Sequence, residues 1–463
     1  MKHAMVSLVL LSGAALLQAA PGDLVWSYQT GGFVWSSPAV SGGYVYVGSW
    51  DGKVYCLDAA TGAQAWSYAT GGVVRSSPAV DAGHVYVGSL DDNVYCLDAS
   101  SGALVWSYAT GGDVLCSPAV SGGYVYFGSW DGKVYCLDAS SGALVWSYAT
   151  GGQVISSPAV SGGYVYVGSC DGKVYCLGAT TGAVAWSYDV VEGILPSTAV
   201  SGGYVYAGGD NDHVCCLDAA TGVLVWSYDT GDDVYSSPAV SGDCVYVGSG
   251  NGNVYCLDAA TGARVWSYDT SAIVWSSPAV SGGYVYVGSA YPNNKVHCLD
   301  AITGVEVWSY AAGSWVESSP AVSGGYVYVG SGDNKLYCLE AGPGDPGEWP
   351  MFRHDLQRTG STGAAPPWPE RIDLALGWNL IGALGPLDSA RELRNCVIDG
   401  GSELRWWDDA VAAGVLQHEV YYYSPGYGYR VLCTSGGDDD SFQPARGYWL
   451  LTYEPGLALL VGP

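Results

Sequence analysis

A unit of 40 residues recurs along this chain, and that repeat narrows the possible folds more than any other feature. Trp26, Trp66, Trp106, Trp146, Trp186, Trp226, Trp266 and Trp308 stand at equivalent places in successive copies, the even spacing broken once by two extra residues at "AYPNNK", Ala290 to Lys295. The first copy holds four stretches rich in Val, Tyr and Trp with alternating polarity, "FVWSSPAV", "YVYVGS", "KVYCLDA" and "AQAWSY", which read as strands. Between them lie "SGG", "WDG" and "ATG", whose glycines permit the backbone of tight hairpin turns. A four-stranded unit of this size cannot cover its own apolar faces, so the copies must pack on one another, and a period near 40 points to propeller blades. The first "WSY" precedes the first "SPAV", and the last "YCLEA" has no "WSY" after it. The strand around Val25 to Tyr28 is therefore expected to complete the last blade. The predicted fold is all-β, an eight-bladed propeller over residues 24–341 closed by its N-terminal strand, with no unpaired inner edge.

Composition places the chain in its surroundings. Residues 1–19 carry a basic start at Lys2 and an apolar run from Val6 to Leu17, which reads as a secretory signal peptide cut near Ala19. No Cys follows that run, so an exported protein that is not a lipoprotein is expected, and no later stretch has the length of a membrane span. Acidic side chains number 43 against 16 basic ones, giving a net charge of -27. Such a surface repels phosphate backbones and anionic membranes, which removes nucleic acid as a partner. Of 14 cysteines, Cys56, Cys96, Cys136, Cys176, Cys216, Cys256, Cys298 and Cys338 occupy one position of the repeat, too far apart to meet, and read as small buried side chains. Cys396 and Cys433 are the one pairing considered, with separate thiols equally open.

The stretch "CLDAATGAQAW" resembles the tryptophan-docking motif of the pyrroloquinoline quinone (PQQ) dehydrogenase-like propellers, departing from it in Cys where that family often has Ala. The segment "WPMFRHDLQRTGST", Trp349 to Thr362, resembles a stretch found beside such propellers in exported proteins. The resemblance implies the eight-bladed fold. It leaves activity open, because the family holds quinone-dependent dehydrogenases and also non-enzymatic members such as the outer-membrane assembly scaffold BamB. Asp58, Thr61, Gly62 and Trp66 are read as structural: Thr61 and Gly62 turn the chain into the outermost strand, Asp58 accepts from turn donors, and Trp66 packs between blades. A single cofactor cannot need a copy of these residues in every blade.

Function must sit where the copies differ. Around the constant Val or Ile before "SSPAV", one neighbour runs Phe33, Val73, Asp113, Gln153, Gly193, Asp233, Ile273, Trp315, and the other Trp35, Arg75, Leu115, Ile155, Leu195, Tyr235, Trp275, Glu317. A position that takes Trp, Arg and Glu alike is not close-packed core, and both sets are expected at the mouth of the central channel. Blades seven, eight and one supply an aromatic sector of Trp275, Tyr291, Trp315, Phe33, Trp35 and Trp50; blades five and six supply an acidic one of Glu192, Asp210, Asp212, Asp232 and Asp233. With Arg75, Tyr235 and Glu317, the aromatic residues form the candidate binding face for a protein segment or a glycan. Drift among duplicated blades is the alternative.

A quinone dehydrogenase needs a Ca²⁺ held by oxygen ligands and a cover over its cofactor, commonly from long insertions, and the only insertion here is two residues long. No cofactor, no metal and no catalytic group is expected. Adjacent Cys215 and Cys216 resemble a vicinal disulfide of some family enzymes, yet Cys216 is the repeat cysteine. The turns "GDNDH" (209–213) and "GGDDDS" (436–441) lack the spacing of a Ca²⁺ loop. After Ala341, residues 342–371 are a Pro/Gly-rich linker, and residues 372–463 read as a small, mainly β domain with a capping box at Ser389 to Glu392. The expected function is an exported, monomeric, non-catalytic binding or scaffold protein, the alternative a PQQ-dependent alcohol or sugar dehydrogenase.

Overall fold

The computed structural model describes residues 20–190, 197–342 and Met351, with the backbone of five short strands between 397 and 449. The expected leader, Glu192, Gly193 and Leu195, Cys396, the capping box at 389–392 and the turn 436–441 lie outside the described residues. The chain divides after Ala364 into two units.

The first unit holds eight four-stranded antiparallel sheets and, among its described residues, no helix. In the first blade the strands are Ala39–Ser41, Tyr44–Gly48, Lys53–Asp58 and Gln64–Ala69, paired in sequence order from the channel outward. The three-residue inner strands touch their neighbours all the way round, Ala39–Ser41 meeting both Ala79–Asp81 and Ala321–Ser323. The ring closes as the repeat count required. Leu24–Gln29 forms the outermost strand of the last blade, with Trp26 opposite Cys338 and Tyr28 opposite Leu336.

The run "VYCLD" is apolar throughout because both faces of each blade are covered. Tyr46, Val54, Cys56 and Trp66 pack on the second blade with Val80, Val85 and Leu97, while Val45, Val47, Tyr55 and Leu57 pack on the last blade with Tyr328 and Cys338. Cys56 and its counterparts are free, buried thiols, and burial pushes the Cys56 thiol up to about 12.

Each blade is fastened to the next at its outer rim. Trp66 Nε1 donates to Ala99 O at 3.0 Å, and its ring lies against Gly102, where an added Cβ would stand 2.6 Å from ring carbons. Gly102 also holds a φ of +70°, so no other residue fits this turn without strain. At the seam Trp26 meets Gly62 and Ala59 in the same way, and Trp308 meets Gly22 and Ala341. Asp58 Oδ1 accepts Thr61 N at 2.8 Å and Thr61 Oγ1 at 2.7 Å, which shapes the turn that receives the Trp.

The opposite face carries a fastener that the sequence reading missed. Asp51 Oδ2 accepts the N–H of Gly31 at 2.9 Å and the Tyr55 hydroxyl at 2.5 Å, tying the connection between blades to the turn of the blade it enters. Within "WDG", then, the Asp is structural, while the residue before it varies most widely from blade to blade.

In the second unit, Val397–Ile398 pairs with Leu404–Arg405, and Val420–Ser424 lies between Gly428–Cys433 and Tyr448–Trp449, all antiparallel.

Candidate functional site

The connection from one outer strand to the next inner strand crosses the channel mouth, and its second serine builds the channel wall. Ser37 N donates to Ser77 Oγ, Ser77 N to Ser117 Oγ, and so on through Ser157, Ser197, Ser237, Ser277 and Ser319, whose N–H returns to Ser37 Oγ. The eight bonds measure 2.8–3.1 Å. Every serine gives one bond and takes one, so the inner strands are joined by a closed circuit that the constant "SSPAV" had not disclosed.

Above this ring opens a cavity of about 600 Å³. Its wall is made by the residue two positions before each ring serine: Trp35, Arg75, Leu115, Ile155, Tyr235, Trp275 and Glu317 all line it. Both neighbours of the constant Val were expected there, and the structure corrects that expectation. Among the described residues of the first set, only Trp315 lines the cavity. The carbonyls of Phe33, Val73, Asp113 and Gln153 accept the N–H of Trp50, Leu90, Trp130 and Cys170, which ties this position to the neighbouring turn, and the Trp315 carbonyl accepts that of Gly332 in the same way.

The expected aromatic sector is also divided. Phe33, Trp35 and Trp50 form one cluster: Phe33 stacks on Trp35 at 5.7 Å, and Trp50 meets Trp35 edge-on at 4.2 Å. The indole N–H groups of Trp35 and Trp50 are buried without an acceptor. Tyr235 and Trp275 meet at right angles, 6.2 Å apart, on adjacent blades. Trp315 stands between these groups, 41% exposed. Tyr291 rides on the two-residue insertion, 71% exposed and outside the cavity lining, so it does not join the aromatic arc. Trp130, at the place of Trp50 in the third blade, is 41% exposed and was not foreseen as a surface aromatic.

Charge at the mouth is sparse and specific. Arg75 Cζ lies 5.4 Å from the ring centre of Trp35. Glu317 makes no hydrogen bond or ion pair among the described residues, and burial pushes its carboxyl up to about 7 even though Arg75 pulls the other way. Tyr235 OH donates to Asp233 Oδ2 at 2.8 Å; burial and then that bond push the phenol up to about 12.

Three other groupings complete the chemistry on offer. Carboxylates of Asp212, Asp232 and Asp233 converge within 4.8 Å of one another, outside the cavity lining. Cys215 and Cys216 are separate buried thiols. In the seventh blade Ser289 Oγ lies 3.1 Å from His297 Nε2, and His297 Nδ1 lies 2.8 Å from Glu306 Oε2, a chain that required strands distant in sequence to be paired. Its connectivity is that of a nucleophile, a base and an orienting acid. Ser289 is 0% exposed, however, and its oxygen also takes the Lys295 N–H at 3.2 Å, so no substrate can reach it. His297 stands where the first blade has Tyr55, Glu306 where it has Gln64, and Asn293 where it has Asp51. Burial holds the imidazole below the ordinary histidine value despite the Glu306 carboxylate.

A quinone with Ca²⁺ asks for several oxygen ligands around one ion. The cavity offers a single carboxylate, Glu317, and ring serines whose oxygens already accept backbone N–H groups. The described lining of the cavity does not fit that pair.

Comparison with known proteins agrees with this geometry. Residues 12–194 match the family model described as the β-propeller of beta-alanine-activating enzyme, and residues 170–274 and 250–362 match the model described as outer membrane protein assembly factor BamB. No curated protein matches the chain. Among solved structures, BamB from Moraxella catarrhalis is 22% identical with a TM-score of 0.60, covering 69% of this chain and 99% of that one. The computationally designed Ika8 protein is 20% identical with a TM-score of 0.63 over 69% and 99%. A europium-containing methanol dehydrogenase is 17% identical with a TM-score of 0.59 over 69% and 93%. Identities this low carry the fold alone, so scaffold and enzyme stand equally among the neighbours. Repeat, blade closure and matched models together identify the first unit as an eight-bladed β-propeller similar to those of the PQQ-like repeat family.

Proposed function

We propose that this is an exported, monomeric, non-catalytic binding protein that holds a segment of a partner at the mouth of its propeller channel. One observation carries the reading: the side chains that differ most from blade to blade converge on one cavity, directly above a serine ring that does not differ at all. Asymmetry confined to a solvent-open concavity is what a recognition site requires, and rigid aromatic anchors such as Trp35, Trp275 and Trp315 supply contact area at small entropic cost. The sequence of residues 1–19 supports export, and no helix of the described residues is long and apolar enough to cross a membrane.

Capture from the native envelope or medium tests the reading. A partner retained by the full chain and released by the triple substitution Trp35→Ala, Trp275→Ala, Trp315→Ala supports it, and equal retention discards the site. Addition of PQQ and Ca²⁺ followed by dye reduction with alcohols or sugars tests the dehydrogenase alternative, and turnover there would replace this function.

A further inference from the structure

Resting on that binding role, the geometry points to an organic cation as what the channel mouth recognises, an ammonium or guanidinium carried on a slim chain. Among the described residues Glu317 is the only carboxylate in the cavity lining, and it is drawn out of water with no hydrogen bond to any of them. A desolvated carboxylate without a donor is costly, and a ligand that brings a charged donor removes that cost. Trp275, Trp315 and Trp35 come from the preceding, the same and the following blade, so indoles of both adjoining blades line the cavity together with the carboxylate. Ring faces attract cations, most strongly where water is partly excluded.

The chain already shows this preference with a cation of its own. The Arg75 guanidinium makes no ion pair among the described residues and stands over the Trp35 ring at 5.4 Å, where it is the one charged group that acts on Glu317. It marks the kind of group the mouth accepts. The net charge of -27 raises the local concentration of cations and disfavours anions. Tyr235, the remaining polar group on the aromatic arc, has its hydroxyl turned to Asp233. A neutral glycan stacking on the same rings would offer Glu317 hydroxyl donors but would leave its charge unneutralised.

Calorimetric titration of the full chain tests the inference. The probes are an acetylated Ser-Arg-Ser amide, its citrulline counterpart, tetramethylammonium chloride and maltotriose. The arginine peptide should bind saturably and at least about tenfold more tightly than the citrulline peptide, and Glu317→Gln should erase most of that difference. Arg75→Gln, at an exposed position, should tighten the arginine peptide roughly threefold by removing the internal competitor, a gain that a merely structural arginine would not produce. Trp130→Ala, outside the cavity lining, should change nothing. Tetramethylammonium binding as well as the peptide assigns the site to small free cations; preference for the peptide assigns it to a basic segment of a partner. Equal affinity for the citrulline peptide, weakening by Arg75→Gln, or no saturable binding of any cationic probe overturns the inference. Maltotriose binding that depends on Trp275 would overturn the cation while leaving the binding site in place.

Discussion

Two rings of residues lie two positions apart in sequence and obey opposite rules. At Ser37 and its seven counterparts the side chain is the same in every blade and each hydroxyl accepts the N–H of the blade before it. At Trp35 and its counterparts the side chain passes through Arg, Leu, Ile, Tyr, Trp and Glu around one cavity. A closed circuit of hydrogen bonds tolerates no weak member, because each serine serves two blades. A cavity wall has no such partner to satisfy and is free to differentiate. The same division separates the docked tryptophans from those at the mouth, and it can be tested by treating like residues alike.

The largest effect is expected at a docked ring. Trp146 is buried, donates from Nε1 to Ala179 O at 2.8 Å and rests on Gly182. Trp146→Ala should cost about 3–5 kcal/mol in urea unfolding. A loss below about 1 kcal/mol would mean that the blades are held chiefly elsewhere. Next comes the receiving glycine. A Cβ at Gly142 would stand 2.7 Å from the Trp106 ring at a φ of +70°, so Gly142→Ala should cost roughly 2–3 kcal/mol by strain and overlap together.

Much of this architecture was legible in the sequence, and the reason is repetition. Strands, turns and the closing strand at Val25 to Tyr28 announce themselves eight times, so chance is averaged out. The variable channel was legible too, but only coarsely. Phe33 and Trp35 flank the same Val with the same parity, and nothing local tells which one faces the axis. Only the closed ring decides it, where Trp35 lines the cavity and Phe33 does not. The serine ring was hidden for a related cause: its bonds span 40 residues, and a buried Ser in "SSPAV" looks like strand core until its neighbour blade is in place. The Ser289, His297 and Glu306 chain needed strand pairing before it could be seen, and burial before it could be dismissed as a site.

The serine ring gives the third prediction. Ser157→Ala would leave the buried Ser117 N–H without its acceptor at 2.8 Å, for a loss of about 1–3 kcal/mol. The urea midpoint should fall by the same amount for any ring serine, since the circuit has no privileged member. Unequal losses would show that the ring is a by-product of blade packing.

A smaller effect belongs to Glu317, and its sign is set by burial. The carboxyl lies near 4.5 when unfolded and is pushed up to about 7 in the fold. Below 4.5 the side chain is neutral in both states and carries no penalty. As pH rises through the folded value, the protein must place a charge in the wall, and stability falls by about 1 kcal/mol once screening in the open cavity is allowed for, levelling above pH 7. Glu317→Gln should remove that slope between about pH 5 and pH 7, so the difference between the two unfolding curves against pH is the measurement. A flat difference would mean that water reaches the carboxyl freely.

The smallest effect is the most discriminating. Trp275 undergoes the same truncation as Trp146, but it is 37% exposed and touches Tyr235 only edge-on at 6.2 Å. Trp275→Ala should cost less than about 1 kcal/mol, well below Trp146→Ala, because the ring is already partly in water and lines an open cavity rather than a closed core. If its loss instead approached that of Trp146→Ala, the variable ring would be packing material like the docked one. Sequence change from blade to blade would then reflect compensated drift in a core, and the mouth would lose its standing as a site. A near-zero loss makes Trp275 a residue the fold does not need, whose retention in a half-exposed position has to be explained by what it touches from outside.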